Sequence, residues 1–388
     1  MITVDQALSH LFALATPLGV ERVALAHAAG RVLAQDAVAT RDQPPFSASA
    51  MDGYAVAGPV ETGDRFKVTG EAAAGKAYSG PVGPKDAVRI FTGAPVPAGC
   101  GTVVIQEDVV RNGDTITVSN DPHGHSIRPA GGDFKTGQSL SSPRKLSIND
   151  IVLLAAMNIP SVSVFRRPEV ALISTGNELV MPGEDPGPDQ IIASNTFGLK
   201  ALLEANGAFV RVLPIAKDTV QSLEQVFALA RGADLVVTIG GASVGDHDLV
   251  AKVAQQLGLL QSFYKIAMRP GKPLMAGRMG DAVMVGLPGN PVSAMVCGQV
   301  FLLPVLRAMQ GLAAQRQMPM TATLAKPVAQ NGPREHYMRA IVENGALTAF
   351  DKQDSALVTV LADANALLIR PIDDPAQPVG TQIQYLPI

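Results

Sequence analysis

The sequence predicts a multidomain α/β plus β protein. It should hold a parallel-sheet α/β domain, a small inserted β domain, an N-terminal helical/extended segment and a C-terminal β-barrel. Three observations carry this. A chain of 388 residues has room for two or three domains. From residue 168 to 311, short apolar runs alternate with helix-length amphipathic runs, the βαβα texture of a parallel sheet covered on both faces. On either side, over 45–140 and 312–388, short alternating runs are punctuated by Gly and Pro, which is β texture. Residues 1–44 and 141–167 form the remaining segment.

Taken in order, Thr3 and Gln6 have capping-box spacing, and Val4, Ala7, Leu8 and Leu11 then share one helical face. A second short apolar pattern runs from Val23 to Leu33. In the inserted domain, 65–69, 87–91 and 102–106 are expected strands. Residues 109–111 and 115–118 form a hairpin with a type I′ turn at Asn112-Gly113. Helix returns over 146–157, where Ser147 and Asp150 repeat the capping-box spacing. The α/β domain then offers strands at 170–174, 208–215, 235–239, 263–267 and 282–285. Its helices are expected at 195–204, 223–230 and 250–257, with a long apolar one over 292–309. The last domain offers strands at 321–324, 337–342, 366–369 and 382–386.

Composition excludes several classes. With 47% hydrophobic and 17% charged residues the chain is globular rather than disordered. Only 4% of residues are aromatic and none is Trp, so stacking platforms for single-stranded nucleic acid are poorly supplied. A net charge of -3 without a Lys/Arg block argues against nucleic acid as a partner. Cys100 and Cys297 are too few for a disulfide framework or a Cys-based zinc site. The first residues lack a basic n-region, and Pro or Gly interrupts the longest apolar runs. A cytoplasmic protein without a membrane partner is therefore expected.

Ligands of open α/β sheets sit outside the carboxyl ends of the strands. Four such ends are unusual here. The first presents Glu178 after a Gly turn, and the next is the glycine-dense run 240–248, with Asp246 and Asp248. A third supplies Lys265, Arg269 and Lys272. The last, 286–293, feeds Pro291 into the first turn of the long helix, where unpaired amides favour an anion. Any one loop is an ordinary strand-to-helix turn; four at one sheet edge are not. Acids beside cations in one crevice suit a phosphorylated ligand bridged by a divalent metal.

The runs 174–179 (Ser-Thr-Gly-Asn-Glu-Leu), 240–245 (Gly-Gly-Ala-Ser-Val-Gly), 269–273 (Arg-Pro-Gly-Lys-Pro) and 287–293 (Leu-Pro-Gly-Asn-Pro-Val-Ser) together resemble the molybdopterin molybdenumtransferase family, which includes the E domain of gephyrin. Upstream, Ser49-Ala50-Met51-Asp52-Gly53-Tyr54-Ala55 resembles the family's acidic loop and 89–97 its threonine loop, while Gly131-Gly132-Asp133 resembles a third element. The resemblance implies an α/β domain of molybdopterin-binding type, with 1–44 and 141–167 as a linker and dimerisation domain. It also implies an elongated homodimer, in which Asp52 and Thr92 complete the partner's site. Carried over by motif, Asp52, Thr92, Glu178, Asp218 and Asp248 form the expected catalytic set, with Glu178, Asp246 and Asp248 holding Mg²⁺. Gly240, Gly241, Ser243, Lys265, Arg269, Lys272, Pro288, Pro291 and Ser293 would contact substrate, and Arg339 and Ser355 would add donors for molybdate. The implied reaction inserts molybdate into adenylylated molybdopterin and releases AMP, with the upstream adenylyltransferase as a further partner. Three departures stand out: Arg269 where Lys is commoner, Asn177 where some members carry Asp, and 355–360 in place of a Ser-rich stretch.

Rival signals are weak. Gly70 to Lys76 imitates a phosphate-binding loop until Ala77, where Ser or Thr is required. His123 and His125 are too few for a metal site, and Asp246-His247-Asp248 has no nucleophile elbow beside it. Cys297 lies on an apolar helix and is expected to be core. A pterin adenylyltransferase would share the α/β domain but would not need Asp52, Thr92 or the barrel. A gephyrin-like scaffold would need a long linker that is not seen.

Overall fold

The computed structural model of the chain describes residues 1–121, 124–241 and 249–388. Its first helix, Val4–Leu14, is held by the expected reciprocal cap between Thr3 and Gln6. Val4, Ala7, Leu8 and Leu11 are buried. They enter the same core as the central strands of the α/β sheet, so the opening helix packs on that sheet rather than on its sequence neighbours. The strand that follows, Val20–Ala24, pairs antiparallel with Ser161–Phe165. Residues on both sides of the inserted domain thereby meet. The second capping box, Ser147 with Asp150, starts the helix Ile148–Ala156.

The inserted β domain is a six-stranded sheet in the order Thr102–Ile105, Gly53–Val56, Asp86–Ile90, Arg65–Ala72, Thr115–Val118, Val109–Asn112. The expected hairpin is present, but its turn lies one residue further on. Asn112 pairs with Thr115, and the loop is Gly113-Asp114. A type I′ turn needs positive φ at both central residues, and of these two only Gly113 (φ 61) has it. Register explains the shift: Ile116 and Val118 must face the core, and Thr115–Thr117 also pairs with Arg65–Lys67. The imitation phosphate loop is a strand ending in a tight turn, where Ala73 and Lys76 exchange backbone hydrogen bonds.

The α/β sheet runs Phe209–Val212, Glu169–Ser174, Leu235–Ile239, Ala282–Leu287, Met275–Met279, Leu259–Tyr264. The first four strands are parallel, as expected. Met275–Met279, a strand the periodicity did not reveal, runs against them and pairs antiparallel with both Ala282–Leu287 and Leu259–Tyr264. It leads into Ala282–Leu287 through the two-residue loop Gly280-Asp281. Packed against the sheet is one helix, Pro291–Met309, which neither Gly298 nor Pro304 ends. A π turn at Gly298–Leu302 precedes Pro304 and absorbs its missing N–H. By length and composition this helix could cross a membrane, but 78% of that window is buried in the core.

Beyond a linker, Glu335–Glu343, Ala346–Ala349, Met320–Leu324, Gln382–Pro387 and Ala366–Arg370 pair in that circular order, and the first meets the last. This is the closed C-terminal barrel. It is joined to the α/β domain by the short strand Met268–Arg269, which pairs parallel with Glu335 and His336. In the linker, Arg316 bonds Asp5 of the first helix, and Glu335 and the Tyr337 hydroxyl of the barrel. The barrel is thus fixed beside the end of the sheet where the predicted loops emerge.

Candidate active site

A cleft of about 650 Å³ opens at the carboxyl ends of the parallel strands. Glu178, Gly240, Gly241, Lys272, Pro288 and Pro291 all line it. Two of the strand ends close on it through turns that only glycine permits. Gly176 has φ 146, and a Cβ on it would lie 2.4 Å from a Glu178 carboxylate oxygen, so the acid folds back over a bare backbone. Gly240, at φ 93, is packed so closely that a Cβ would meet the Thr175 carbonyl oxygen at 2.7 Å. Its amide donates to the Leu287 carbonyl at 3.1 Å, so three strand ends are in register at the cleft floor.

Asparagines tie the loops across the cleft. The Asn195 side chain donates to the Gly289 carbonyl at 2.7 Å, and Asn290 donates to the Ser355 hydroxyl at 2.8 Å. Asn177 accepts from the Asp218 amide at 3.1 Å, which gives the residue at this departure a structural task. The Ser355 carbonyl accepts from Val292 at 3.1 Å, and Ala294 closes onto Asn290. With no N–H on Pro291, the long helix start offers an anion fewer free amides than the sequence suggests. Ser293 is buried in that helix, outside the cleft lining.

Other expected site residues lie near the cleft without lining it. Asp218 is exposed on the adjoining loop. Lys265, in the left-handed region at φ 70, holds its ammonium over the Tyr264 ring, 5.0 Å from the centroid. Arg269 is exposed on the strand that joins the barrel. Ser355 borders the cleft through its neighbour Ala356. Ser243, Asp246 and Asp248 fall outside the described residues. Ile191, Ile192 and Asn195 line the cleft unanticipated. Two adjacent exposed isoleucines after a Pro/Gly-rich run were the available signal for the first two.

Asp52 and Thr92 are brought together in the inserted domain. Asp52 Oδ1 accepts from the Thr92 amide at 2.7 Å and from its hydroxyl at 2.8 Å. These two bonds, the amide first, hold the Asp52 carboxyl below the ordinary carboxylate range. Arg89 stacks nearby on Tyr54 and Phe91. Neither Asp52 nor Thr92 lines the cleft of its own chain.

Arg339 has no exposed surface. One nitrogen, Nη2, donates to the Asp354 carbonyl at 2.9 Å, while Nε and Nη1 have no protein partner. Burial, and then the neighbouring Arg269, lower its pKa. Orphaned buried donors of this kind are what a bound anion satisfies.

A parallel sheet with a polar cleft at its strand ends, an inserted β domain and a barrel closing beside the cleft define a MoeA-type architecture. Three family models match in chain order. They are the MoeA N-terminal region (domain I and II) over 2–158, a probable molybdopterin binding domain over 171–308 and the MoeA C-terminal region (domain IV) over 321–388. The chain belongs to the molybdopterin molybdenumtransferase family, transferases of molybdenum cofactor biosynthesis. A molybdopterin molybdenumtransferase of Haemophilus influenzae is 38% identical over 84% of this chain and 82% of its own length. One from a Nostoc species is 34% identical over 91% and 85%. The crystal structure of a molybdopterin biosynthesis MoeA protein from Pyrococcus horikoshii superposes with a TM-score of 0.87, at 25% identity and complete coverage of both chains.

Proposed function

We propose that this chain inserts molybdate into adenylylated molybdopterin and releases AMP in a Mg²⁺-dependent reaction. The observation that supports this most is the meeting of Glu178, the glycine loop, Lys272 and the 288–291 turn in one cleft. Beside it, the barrel supplies a buried arginine with two spare donors. A compact tetrahedral dianion needs several donors, which Lys272, Arg339 and Ser355 supply better than the Glu178 side. Among the described residues no group of three or more acidic, His or Cys side chains could hold a metal by itself. Mg²⁺ usually takes one or two carboxylates plus substrate phosphates, so Glu178 with the substrate's phosphates fits, and Asp246 and Asp248 are further candidates. When bound, the ion would neutralise charge on the phosphates.

Asp52 and Thr92 serve the cleft of a second subunit in this reading, since they lie outside their own. The homodimer, its cytoplasmic location and any hand-over from the upstream adenylyltransferase belong to the same proposal. A pure adenylyltransferase would leave the inserted domain and barrel without a task.

The test is AMP release from adenylylated molybdopterin with molybdate, with and without Mg²⁺. Release should require the cation; equal release in excess chelator refutes the reaction as stated. Asp52→Ala and Glu178→Ala chains should each be inactive alone and recover turnover when mixed. No recovery despite demonstrated subunit exchange refutes the shared site.

A further inference from the structure

The buried guanidinium of Arg339 is held by a strap, residues 353–356, whose contacts with it are all neutral. Gln353 clamps the Arg339 backbone from both sides. Its Oε1 accepts from the Arg339 amide at 2.9 Å, and its Nε2 donates to the Arg339 carbonyl at 2.9 Å and to that of Phe350 at 2.7 Å. The guanidinium reaches only the main-chain carbonyl of Asp354. The Asp354 carboxylate is turned onto the Ala356 amide at 2.8 Å, and among the described residues Arg339 has no ion pair. Ser355 then carries the strap to the cleft through Asn290 and Val292.

This arrangement is unusual for a buried cation. A carboxylate only fifteen residues along the chain, on a segment already touching the arginine, would ordinarily form a charge-assisted pair with it. Here the clamp fixes the strap so that the acid is spent on a local turn. On the reading of Arg339 as an oxyanion donor given above, we infer that Gln353 and Asp354 are positioning residues that keep its guanidinium uncommitted. Its buried Nε and Nη1 then remain without a protein partner, for a tetrahedral oxyanion to satisfy. Asp354 also sets the affinity, because its charge stands near the site without neutralising the arginine.

The two residues should respond in opposite directions, which a merely structural role would not produce. Gln353→Leu frees the strap and should weaken molybdate binding by roughly tenfold or more, with the pterin nucleotide little affected. Gln353→Glu, which keeps one acceptor and the size, should weaken it in the same direction if the Leu variant folds poorly. Asp354→Asn retains an oxygen for the Ala356 amide and removes the charge, so molybdate should bind roughly three- to tenfold more tightly. Molybdate is titrated calorimetrically into the full-length protein and into each variant, with Arg339→Ala alongside. If Arg339→Ala binds as wild type does, the oxyanion reading falls and the inference with it. If Arg339→Ala binds weakly while the Gln353 variants match wild type, or Asp354→Asn weakens binding, the inference alone is overturned.

Discussion

Replacing His336 with Leu should flatten the acid side of the stability profile. His336 is 6% exposed, and its Nε2 has no partner in the protein. Burial first, then the charges of Arg269, Arg339, Arg370 and Arg334, push its pKa down to about 3. The unfolded chain takes up this proton near pH 6.5, whereas the folded one resists until about pH 3. The histidine's contribution is therefore whole above pH 6.5 and declines as the pH falls towards 3. At 1.36 kcal/mol per unit the full effect is on the order of 5 kcal/mol, and about 2 kcal/mol of it is lost by pH 5. Leu cannot be protonated and does not disturb the strand pairing with Arg370. Urea unfolding at pH 7 and pH 5 reads the difference. Wild type should lose about 2 kcal/mol more than His336→Leu over that interval. Parallel losses in the two proteins refute the assignment, and some other group then carries the acid sensitivity.

Three further outcomes are expected. Gly240→Ala places a Cβ against the Thr175 carbonyl at a φ that L-residues avoid. It should cost about 1–3 kcal/mol and reduce AMP release at least about tenfold; unchanged turnover refutes the role of the cleft floor. Asn195→Ala removes the tie to Gly289. It should raise the KM for the pterin nucleotide with a loss of about 1 kcal/mol and leave the molybdate requirement alone, which titrating the two substrates separately will show. Burial pushes the thiols of both Cys100 and Cys297 up, and Cys297 is fully enclosed. A thiol reagent should therefore never label Cys297 in the native protein and should find both cysteines after denaturation; native labelling at Cys297 refutes its place in the core.

Local chemistry made much of the fold legible. Two capping boxes lie where Thr3/Gln6 and Ser147/Asp150 place them, because a cap involves only residues three apart. Leu235–Ile239 is bounded as the buried-type run Leu-Val-Val-Thr-Ile ending in two glycines. Where neighbours in space set the outcome, the sequence was a poorer guide. Met275–Met279 has no clean alternation because its partners, not its pattern, make it a strand. Asn112-Gly113 has the look of a type I′ turn, yet it is the hairpin tip Asn344-Gly345 that has positive φ at both positions, since each hairpin's register decides which residues fall at its tip.

The site divides the same way. Asp52 and Thr92 were each recognisable from their own loops, but only the antiparallel pairing of Gly53–Val56 with Asp86–Ile90 puts them within 2.8 Å. Glu178, Gly240 and Pro288 were readable as strand-end residues because parallel strands point their carboxyl ends the same way. Arg339 is another matter: resemblance marked it, but nothing in its own stretch of sequence shows it buried with two idle donors. That state depends on Gln353 and Asp354, which reach it because the hairpin pairing of Ala340 with Ala349 carries the following residues back alongside Arg339. The sequence by itself therefore determined the domain order and the strand-end loops, since periodicity and turn chemistry are local. Which charged groups are buried, paired or left open was decided by the tertiary structure, because desolvation and hydrogen-bond partnership belong to positions in space.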